Sequence, residues 1–288
     1  MSVKPRRSVL YMPGSNDRAL EKARILPADV LLLDLEDAVA PEQKIKARKL
    51  VMGAVNSGGY GERELVIRVN GLDTEWGEED VREVARLPVA AICLPKVESA
   101  AQVRAISASL RNAGAAPEIS IWAMIETPKG VLNVQEIAAA DARLAVLLMG
   151  TSDLAKDMRM PHTPDRIGFV PSLSYCVVAA RANGLDIVDG VHLDLEDAAG
   201  FKQVCEQGRN LGFDGKSLIH PSQIDTANKV FGPSAEDVER AKKIIDAWKV
   251  TAASGKAVVV VDGKLVEVLH VEEARRTLAI AEAAAARQ

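Results

Sequence analysis

The sequence predicts an α/β chain built as a (β/α)8 barrel, and three observations predict it. Eight apolar runs of strand length recur along the first 221 residues, segments of helical periodicity alternate with them, and polar residues gather at the end of nearly every run. The runs occupy 8–13, 29–37, 64–70, 89–98, 118–128, 144–154, 186–195 and 212–221. They are continuously apolar rather than alternating, as expected of parallel strands covered on both faces. Helical periodicity falls between them at 16–25, 41–57, 78–86, 99–112 and 173–183. A doubly wound sheet would alternate in the same way, but no G-x-G-x-x-G follows the first run.

Composition narrows the class further. The chain has 288 residues, 48% hydrophobic and 26% charged, with a formal net charge of -4, which fits a globular protein and not a fibrous or disordered one. Only 3% of residues are aromatic, and the one short basic run is Lys4-Pro-Arg-Arg7, so neither stacking platforms nor a basic stripe for nucleic acid is expected. The 3 cysteines, Cys93, Cys176 and Cys205, are too few and too scattered for a disulfide framework or a zinc cluster, and suit a reducing compartment. The amino-terminal stretch lacks a signal-type apolar core because Pro13-Gly14 interrupts it, and no run approaches the ~20 residues needed to cross a bilayer. These features predict a cytoplasmic protein with no membrane partner.

The last part of the chain breaks the rhythm. Residues 234–251 read as a long amphipathic helix opened by Ser234, with Glu236 and Asp237 in its first turn. Then 256–269 carries Asp262-Gly263 between two β-rich arms, a strong hairpin signal, and a final Ala/Arg/Glu-rich helix runs from about Val271. The expected division is a barrel over 1–232 and a helix–hairpin–helix lid over 233–288. An arm reading Ala-Val-Val-Val-Val needs cover, so the hairpin is expected on the barrel mouth or on a neighbouring subunit. The repeated Leu-Asp-Leu-Glu-Asp-Ala at 33–38 and 193–198 reads as the preference of acidic residues for strand exits and helix starts.

In such barrels the active site forms at the carboxyl ends of the strands. Those ends carry Glu36-Asp37, Arg68-Val-Asn70, Lys96-Val-Glu98, Glu126-Thr-Pro, Gly150-Thr-Ser-Asp153, His192 and His220. Glu126 and Asp153 leave adjacent strands and can share one hard cation such as Mg²⁺, or each can cap the next helix. Arg68 can pair with a core carboxylate or receive a substrate carboxylate in a fork. Lys96 is open between a Schiff-base and an electrostatic role, with the abundance of carboxylates favouring the latter. The stretch from Gly14 to Arg18 can admit an anion at a helix start or simply turn the chain. His192 and His220 read as hydrogen-bonded wall residues, without the partner spacing of a zinc motif.

The order of these motifs resembles a known family. Arg7-Ser-Val-Leu-Tyr-Met-Pro-Gly14, Asp34-Leu-Glu-Asp-Ala-Val39, Arg68-Val-Asn70, Leu94-Pro-Lys-Val-Glu98, Ile125-Glu-Thr-Pro-Lys-Gly130, Gly150-Thr-Ser-Asp-Leu154 and Gly212-Phe-Asp-Gly-Lys-Ser-Leu-Ile-His-Pro221 look like the citrate lyase β-subunit (CitE-like) branch of the HpcH/HpaI aldolases. The resemblance implies a TIM barrel of the phosphoenolpyruvate/pyruvate type, with a carboxy-terminal lid and a homotrimeric or hexameric assembly. It implies Mg²⁺ (or Mn²⁺ in its place) on Glu126 and Asp153, and a keto-acid carboxylate on Arg68. Glu36, Asp37 and Lys96 would form a polar network round the metal. Gly150, Thr151 and Ser152 would offer backbone donors, and Gly14 to Arg18 would wall the CoA side. Asp262 would be carried by the lid over the adjacent subunit's active site as the acid/base group. The sequence departs from the family pattern beyond the lid aspartate, reading Gly263-Lys-Leu-Val-Glu-Val-Leu-His270 without the Pro that many relatives carry.

The expected activity is therefore Mg²⁺-dependent cleavage of a 3-hydroxyacyl-CoA thioester of the malyl-CoA or citramalyl-CoA type, giving acetyl-CoA and glyoxylate or pyruvate. The rival expectation is a (3S)-malyl-CoA thioesterase, and a third is a citrate lyase β-subunit working on an acyl carrier within a complex.

Overall fold

The computed structural model describes residues 4–253 and 257–286. Eight parallel strands close in sequence order into one barrel, β8 pairing back onto β1. They are β1 (Ser8–Pro13), β2 (Val30–Asp34), β3 (Glu64–Arg68), β4 (Ala91–Leu94), β5 (Ser120–Ile125), β6 (Leu144–Met149), β7 (Asp186–Asp189) and β8 (Gly215–Leu218). Helices follow the strands: α1 (Asp17–Ala23), α2 (Lys44–Ser57), α3 (Gly77–Val84), α4 (Ala100–Asn112), α5 (Pro128–Leu132), α6 (Val134–Ala138), α7 (Thr151–Met158), α8 (Val170–Ala182), α9 (Ala198–Leu211) and α10 (Ile224–Phe231). All eight expected strands form, but most stop short of the expected carboxyl ends. The exit residues turn away to open loops and helices, as where Gly150 caps α7 and divides the run 144–154.

Strand alternation sets two cores. Residues of one parity, among them Val9, Leu32, Val66, Cys93, Trp122, Met124 and Leu148, fill the barrel interior, while the other parity packs against the helices. Among the described residues, the charged side chains of the interior gather at its two ends. At the amino-terminal end, Arg6 forks Glu64 at 2.8 Å through both Nε and Nη2, and reaches Asp186 at 2.6 Å. Its guanidinium also stands 5.3 Å from the centre of the buried Trp122 ring.

The remaining chain forms α11 (Ala235–Ala253), a hairpin of β9 (Val259–Val261) and β10 (Lys264–Val266), and α12 (Val268–Ala285). Asp262 and Gly263 connect the arms with φ of 46° and 76°, the positive angles of a two-residue turn whose twist matches the strands. Lys256, where the first arm was expected to begin, lies outside the described residues, and α12 starts three positions before the expected Val271.

Of the two placements expected for the hairpin, the mouth of its own barrel or a neighbouring subunit, the structure does not show the first: the extension does not cover its own barrel mouth. Helix α10 returns the chain to the amino-terminal face, and α11 starts there. Arg276 of α12 reaches Asp214 at 2.9 Å and Asp186 at 3.7 Å, residues that open β8 and β7 from below. The far end of α12, at Ala283 and Ala286, shares a cleft with Glu62, Glu64 and Pro88 beneath β3 and β4. Val259 and Val261 pack with Ile244, Val266 and Val271 in a small separate core, while Val260 and Leu265 face outward, 65% and 56% exposed.

Two tethers at the same end of the barrel differ in worth. Arg6→Met removes the fork from the buried Glu64 carboxylate and the shortest partner of Asp186, and is expected to cost about 3 kcal/mol. Arg276→Met removes only a half-exposed pair and is expected to cost at most about 1 kcal/mol. Urea unfolding of the two variants checks the contrast.

Candidate active site

Alternation along β2, β3 and β5 places three charged side chains on one inward layer at the barrel mouth. In β2 the inward parity continues from Val30 and Leu32 to Asp34, in β3 from Val66 to Arg68, and in β5 from Trp122 and Met124 to Glu126. The register pairs Asp34 with Arg68 on neighbouring strands. Their side chains form a fork, Arg68 Nε to Asp34 Oδ1 at 2.7 Å and Nη2 to Oδ2 at 2.6 Å. Asp34 also accepts the N–H groups of Glu36 and Ala38, so the same carboxylate fixes the turn that carries Glu36 and Asp37.

The turn brings the expected network together. Arg68 Nη1 lies 3.0 Å from Glu36 Oε2, and Lys96 Nζ lies 2.6 Å from Glu36 Oε1 and 3.5 Å from Asp37 Oδ1. Burial pushes the Glu36 carboxyl above its usual range despite both cations. For Asp37, half in solvent, the hydrogen bond with Glu36 and the charges of Arg68 and Lys96 outweigh burial and hold the carboxyl below its usual range. Burial would lower Lys96, but Glu36 outweighs it and the ammonium is held above its usual range. A nucleophilic neutral amine is therefore disfavoured, and Lys96 is a charged donor. It adopts φ 49°, a left-handed angle unusual for a side chain of its size, and its backbone N–H donates to Glu126 Oε1 at 2.7 Å.

Glu126 is 1% exposed. Burial pushes its carboxyl to about 7, partly offset by the Lys96 N–H and Arg68, with the charges of Glu36 and Asp153 adding to the rise. Asp153, in the first turn of α7, is half-buried, and its ion-pair partner is the largely exposed Lys156 at 3.7 Å. Gly150 separates the two strand exits. A Cβ there would collide with the Glu126 side chain, so the glycine lets that carboxylate lie against the start of α7. Among the described residues no group of three or more His, Cys, Asp or Glu could enclose a metal ion. Two hard carboxylate oxygen donors, one buried with surplus negative charge, fit a divalent cation that keeps most positions for water and substrate. A cleft of about 810 Å³ opens beside this centre, lined by Glu36, Asp37, Asn70, Trp76, Lys96 and Gln102.

Other expected residues stand apart. Gly14 is buried against β2, where a Cβ would meet the Asp34 carbonyl and Leu35, so its lack of a side chain allows this close packing. Arg18 is exposed on the short helix α1, whose start Asn16 already caps by accepting the Ala19 N–H. Thr151 is buried, and Ser152 is exposed. His220 caps the next turn through Ser222, as a wall residue would. Asp262 is exposed and pairs with Lys243 at 3.2 Å, remote from the mouth of its own chain. Arg68, expected either in a core pair or on substrate, is in this structure engaged with Asp34 and Glu36.

Sequence reasoning missed Asp34, Tyr11 and Met124 as members of the site. Arg68 stands 5.0 Å from the centre of the Tyr11 ring, and its Nη1 contacts Met124 Sδ at 3.7 Å. The signal was available: counting by twos from the apolar interior residues reaches all three. The cysteines are excluded as nucleophiles. All three are buried, with Cys176 and Cys205 pushed up to about 12 by burial and Cys93 raised further by the same cause.

The fold and mouth define a (β/α)8 barrel with an acidic, cation-ready centre at its carboxyl rim. A family model described as HpcH/HpaI aldolase/citrate lyase matches residues 7–221, and the chain belongs to that family. It is 50% identical over 282 residues, 98% of this chain and 96% of the relative, to a (3S)-malyl-CoA thioesterase of Cereibacter sphaeroides (strain KD131 / KCTC 12085). It is 35% identical to the citrate lyase subunit beta of Escherichia coli (strain K12), over 98% of this chain and 95% of that one. Among solved structures it resembles protein CitE from Mycobacterium tuberculosis in complex with magnesium, acetoacetate and coenzyme A. That match has a TM-score of 0.75 and 30% identity, over 98% of this chain and 99% of that one.

The Glu126 carboxyl provides a direct check. Its folded value of about 7 lies above the ordinary 4.5, so the folded state holds a proton more tightly than the unfolded one. The stability this contributes is complete below pH ~4.5 and is lost as pH rises through ~7. Without added divalent cation, stability is expected to fall over that window in the wild type and to fall less in Glu126→Gln, as read by urea midpoints across pH.

Proposed function

We propose that this chain hydrolyses a 3-hydroxyacyl-CoA thioester of the (3S)-malyl-CoA type, with Mg²⁺ on Glu126 and Asp153. The observation that carries the reading is the buried Glu126 carboxylate, held by the Lys96 N–H and by the absence of a side chain at Gly150 where it feels the charge of Asp153. Support for hydrolysis over carbon–carbon cleavage comes from relatives: those sharing half of the residues are named thioesterases, while citrate lyase subunits share about a third. The expected lyase therefore becomes the second reading.

When bound, Mg²⁺ supplies Lewis-acid polarisation of substrate oxygens. The chain's residues then orient and balance charge. Arg68, pinned along one edge by Asp34, keeps Nη1 toward the mouth, where a substrate carboxylate would compete with Glu36 for it. Lys96 stays protonated and holds Glu36 and Asp37 in place. Water adds to the thioester carbonyl, the carbon–sulfur bond breaks, one water proton goes to the leaving sulfur and the other is released, and a carboxylate and a free thiol leave. Asp262 is assigned as the acid/base group. Because it lies away from the mouth of its own chain, it would act on the mouth of a second copy. The outward apolar face at Val260 and Leu265 supports such an assembly by offering surface to a neighbour.

The deciding assay incubates (3S)-malyl-CoA with the enzyme and Mg²⁺, following free thiol with a thiol reagent and keto acid as its phenylhydrazone. Thiol and malate are expected without glyoxylate; glyoxylate with acetyl-CoA would establish the lyase instead. Glu126→Ala is expected to lose activity by about 100-fold or more, equivalent to roughly 3 kcal/mol of barrier.

Shared sites are tested by mixing. Glu126→Ala and Asp262→Ala are each expected to be nearly inactive, and co-refolded mixtures are expected to regain activity because some mouths unite an intact metal site with an intact aspartate. Full activity of Asp262→Ala alone would remove the aspartate from the mechanism, and a mixture as inactive as its parents would remove its action on the mouth of a second copy.

A further inference from the structure

The loop between α7 and α8 holds a charged cluster that the chemistry of the mouth does not use. Arg166 lies in it with φ 54°, a left-handed conformation that L side chains rarely adopt. Its side chain is nevertheless fixed: Nη1 and Nη2 fork the fully buried Asp189 at the end of β7, at 2.8 and 2.6 Å. Lys216 of β8, 1% exposed, brings Nζ to 3.1 Å from the same carboxylate and also donates to the Gly190 carbonyl. Two buried cations therefore share one carboxylate and leave a net positive charge with little water to screen it.

That charge borders a cavity. A space of about 310 Å³ is lined by Arg166, Lys216, Thr151, His162, Thr163 and His192. Among the described residues no acceptor stands on Arg166 Nε, and Lys216 makes two of the three hydrogen bonds open to an ammonium. His192 Nε2 is buried with no hydrogen-bond partner. Two acidic residues, Asp194 and Asp197, also line the space, but both are exposed and accept N–H groups of their own turns. The volume suits a small ligand and not a nucleotide.

We propose that this cavity is an oxyanion-binding subsite, taking one carboxylate or phosphate group onto Arg166 and Lys216 with His192 beside it. The left-handed backbone at Arg166 lets one side chain both fork Asp189 and line the cavity. Thr151 lies in the cavity wall two positions before Asp153, so an occupant would bear on the turn that carries the metal-side carboxylate. The subsite is separate from the cleft of Glu36, Asp37 and Lys96 and does not depend on which thioester reaction the enzyme performs.

Calorimetric titration of the full-length protein tests it, with inorganic phosphate in one arm and acetate in the other, each run with Mg²⁺ and again with a chelator. Saturable binding is expected in at least one arm, and the arm that binds identifies the source as phosphate or carboxylate. Arg166→Gly suits the left-handed angle and leaves Asp189 paired with Lys216. It is expected to weaken binding at least tenfold, a change of about 1.4 kcal/mol, while Arg166→Lys retains most of it. Should Arg166→Gly lose its near-ultraviolet circular dichroism, His192→Phe carries the same comparison, because it removes a ring nitrogen that no protein group engages. Undiminished binding in a folded Arg166→Gly or in His192→Phe, or no saturable binding of either anion by the wild type, overturns the proposal.

Discussion

A guanidinium and a carboxylate, both almost wholly removed from water, meet as a two-bond fork where β2 and β3 end. Neither could stay ionised there alone, because burying an unpaired charge costs more than a small domain's whole stability margin allows. The Arg68–Asp34 fork resolves this and makes the rest of the mouth possible. Asp34 uses its remaining acceptor capacity on the N–H groups of Glu36 and Ala38, so the turn after β2 is tied to the same pair. Glu36 then meets Arg68 and Lys96, and Lys96 in turn steadies Glu126 through its backbone. A chain of contacts thus runs from the core pair to the carboxylate nearest the expected cation.

Charge balance explains the polarity of this rim. The inward layer at the mouth and its turns hold Asp34, Glu36, Asp37 and Glu126 against Arg68 and Lys96, which leaves negative charge in excess. Burial, with the charges of Glu36 and Asp153 adding to it, raises the Glu126 carboxyl to about 7, and a bound divalent cation would favour its ionised form. The left-handed backbone of Lys96 belongs to the same economy of space, since it turns the N–H inward while the ammonium reaches the cleft. On the far side of the strands, the Arg166–Asp189–Lys216 cluster carries the opposite imbalance. The two centres sit on opposite faces of the barrel wall, separated by strand parity.

The carboxy-terminal extension obeys a different constraint. An even number of barrel segments returns the chain to the amino-terminal face after α10, so whatever follows begins there. Helix α12 accordingly packs under the barrel, and the hairpin, held against α11 and α12, keeps its tip at Asp262 away from the mouth of its own chain.

The sequence by itself determined the eight strands, because each must present a continuous apolar run to be covered on both sides, and it determined the rim residues Glu36, Asp37, Lys96, Glu126 and Asp153 through their place after those runs. It also determined the hairpin, since Asp-Gly accepts the positive angles that a two-residue turn demands. Tertiary structure decided what depends on register and handedness. Asp34 read as part of a motif, yet only the pairing of β2 with β3 makes it the partner of Arg68. Gly14 read either as part of an anion-admitting stretch or as a simple turn, and only the tertiary structure shows how closely it packs against β2. The direction of the extension was equally illegible, because a linear pattern shows which faces need cover and not which surface, near or far, supplies it.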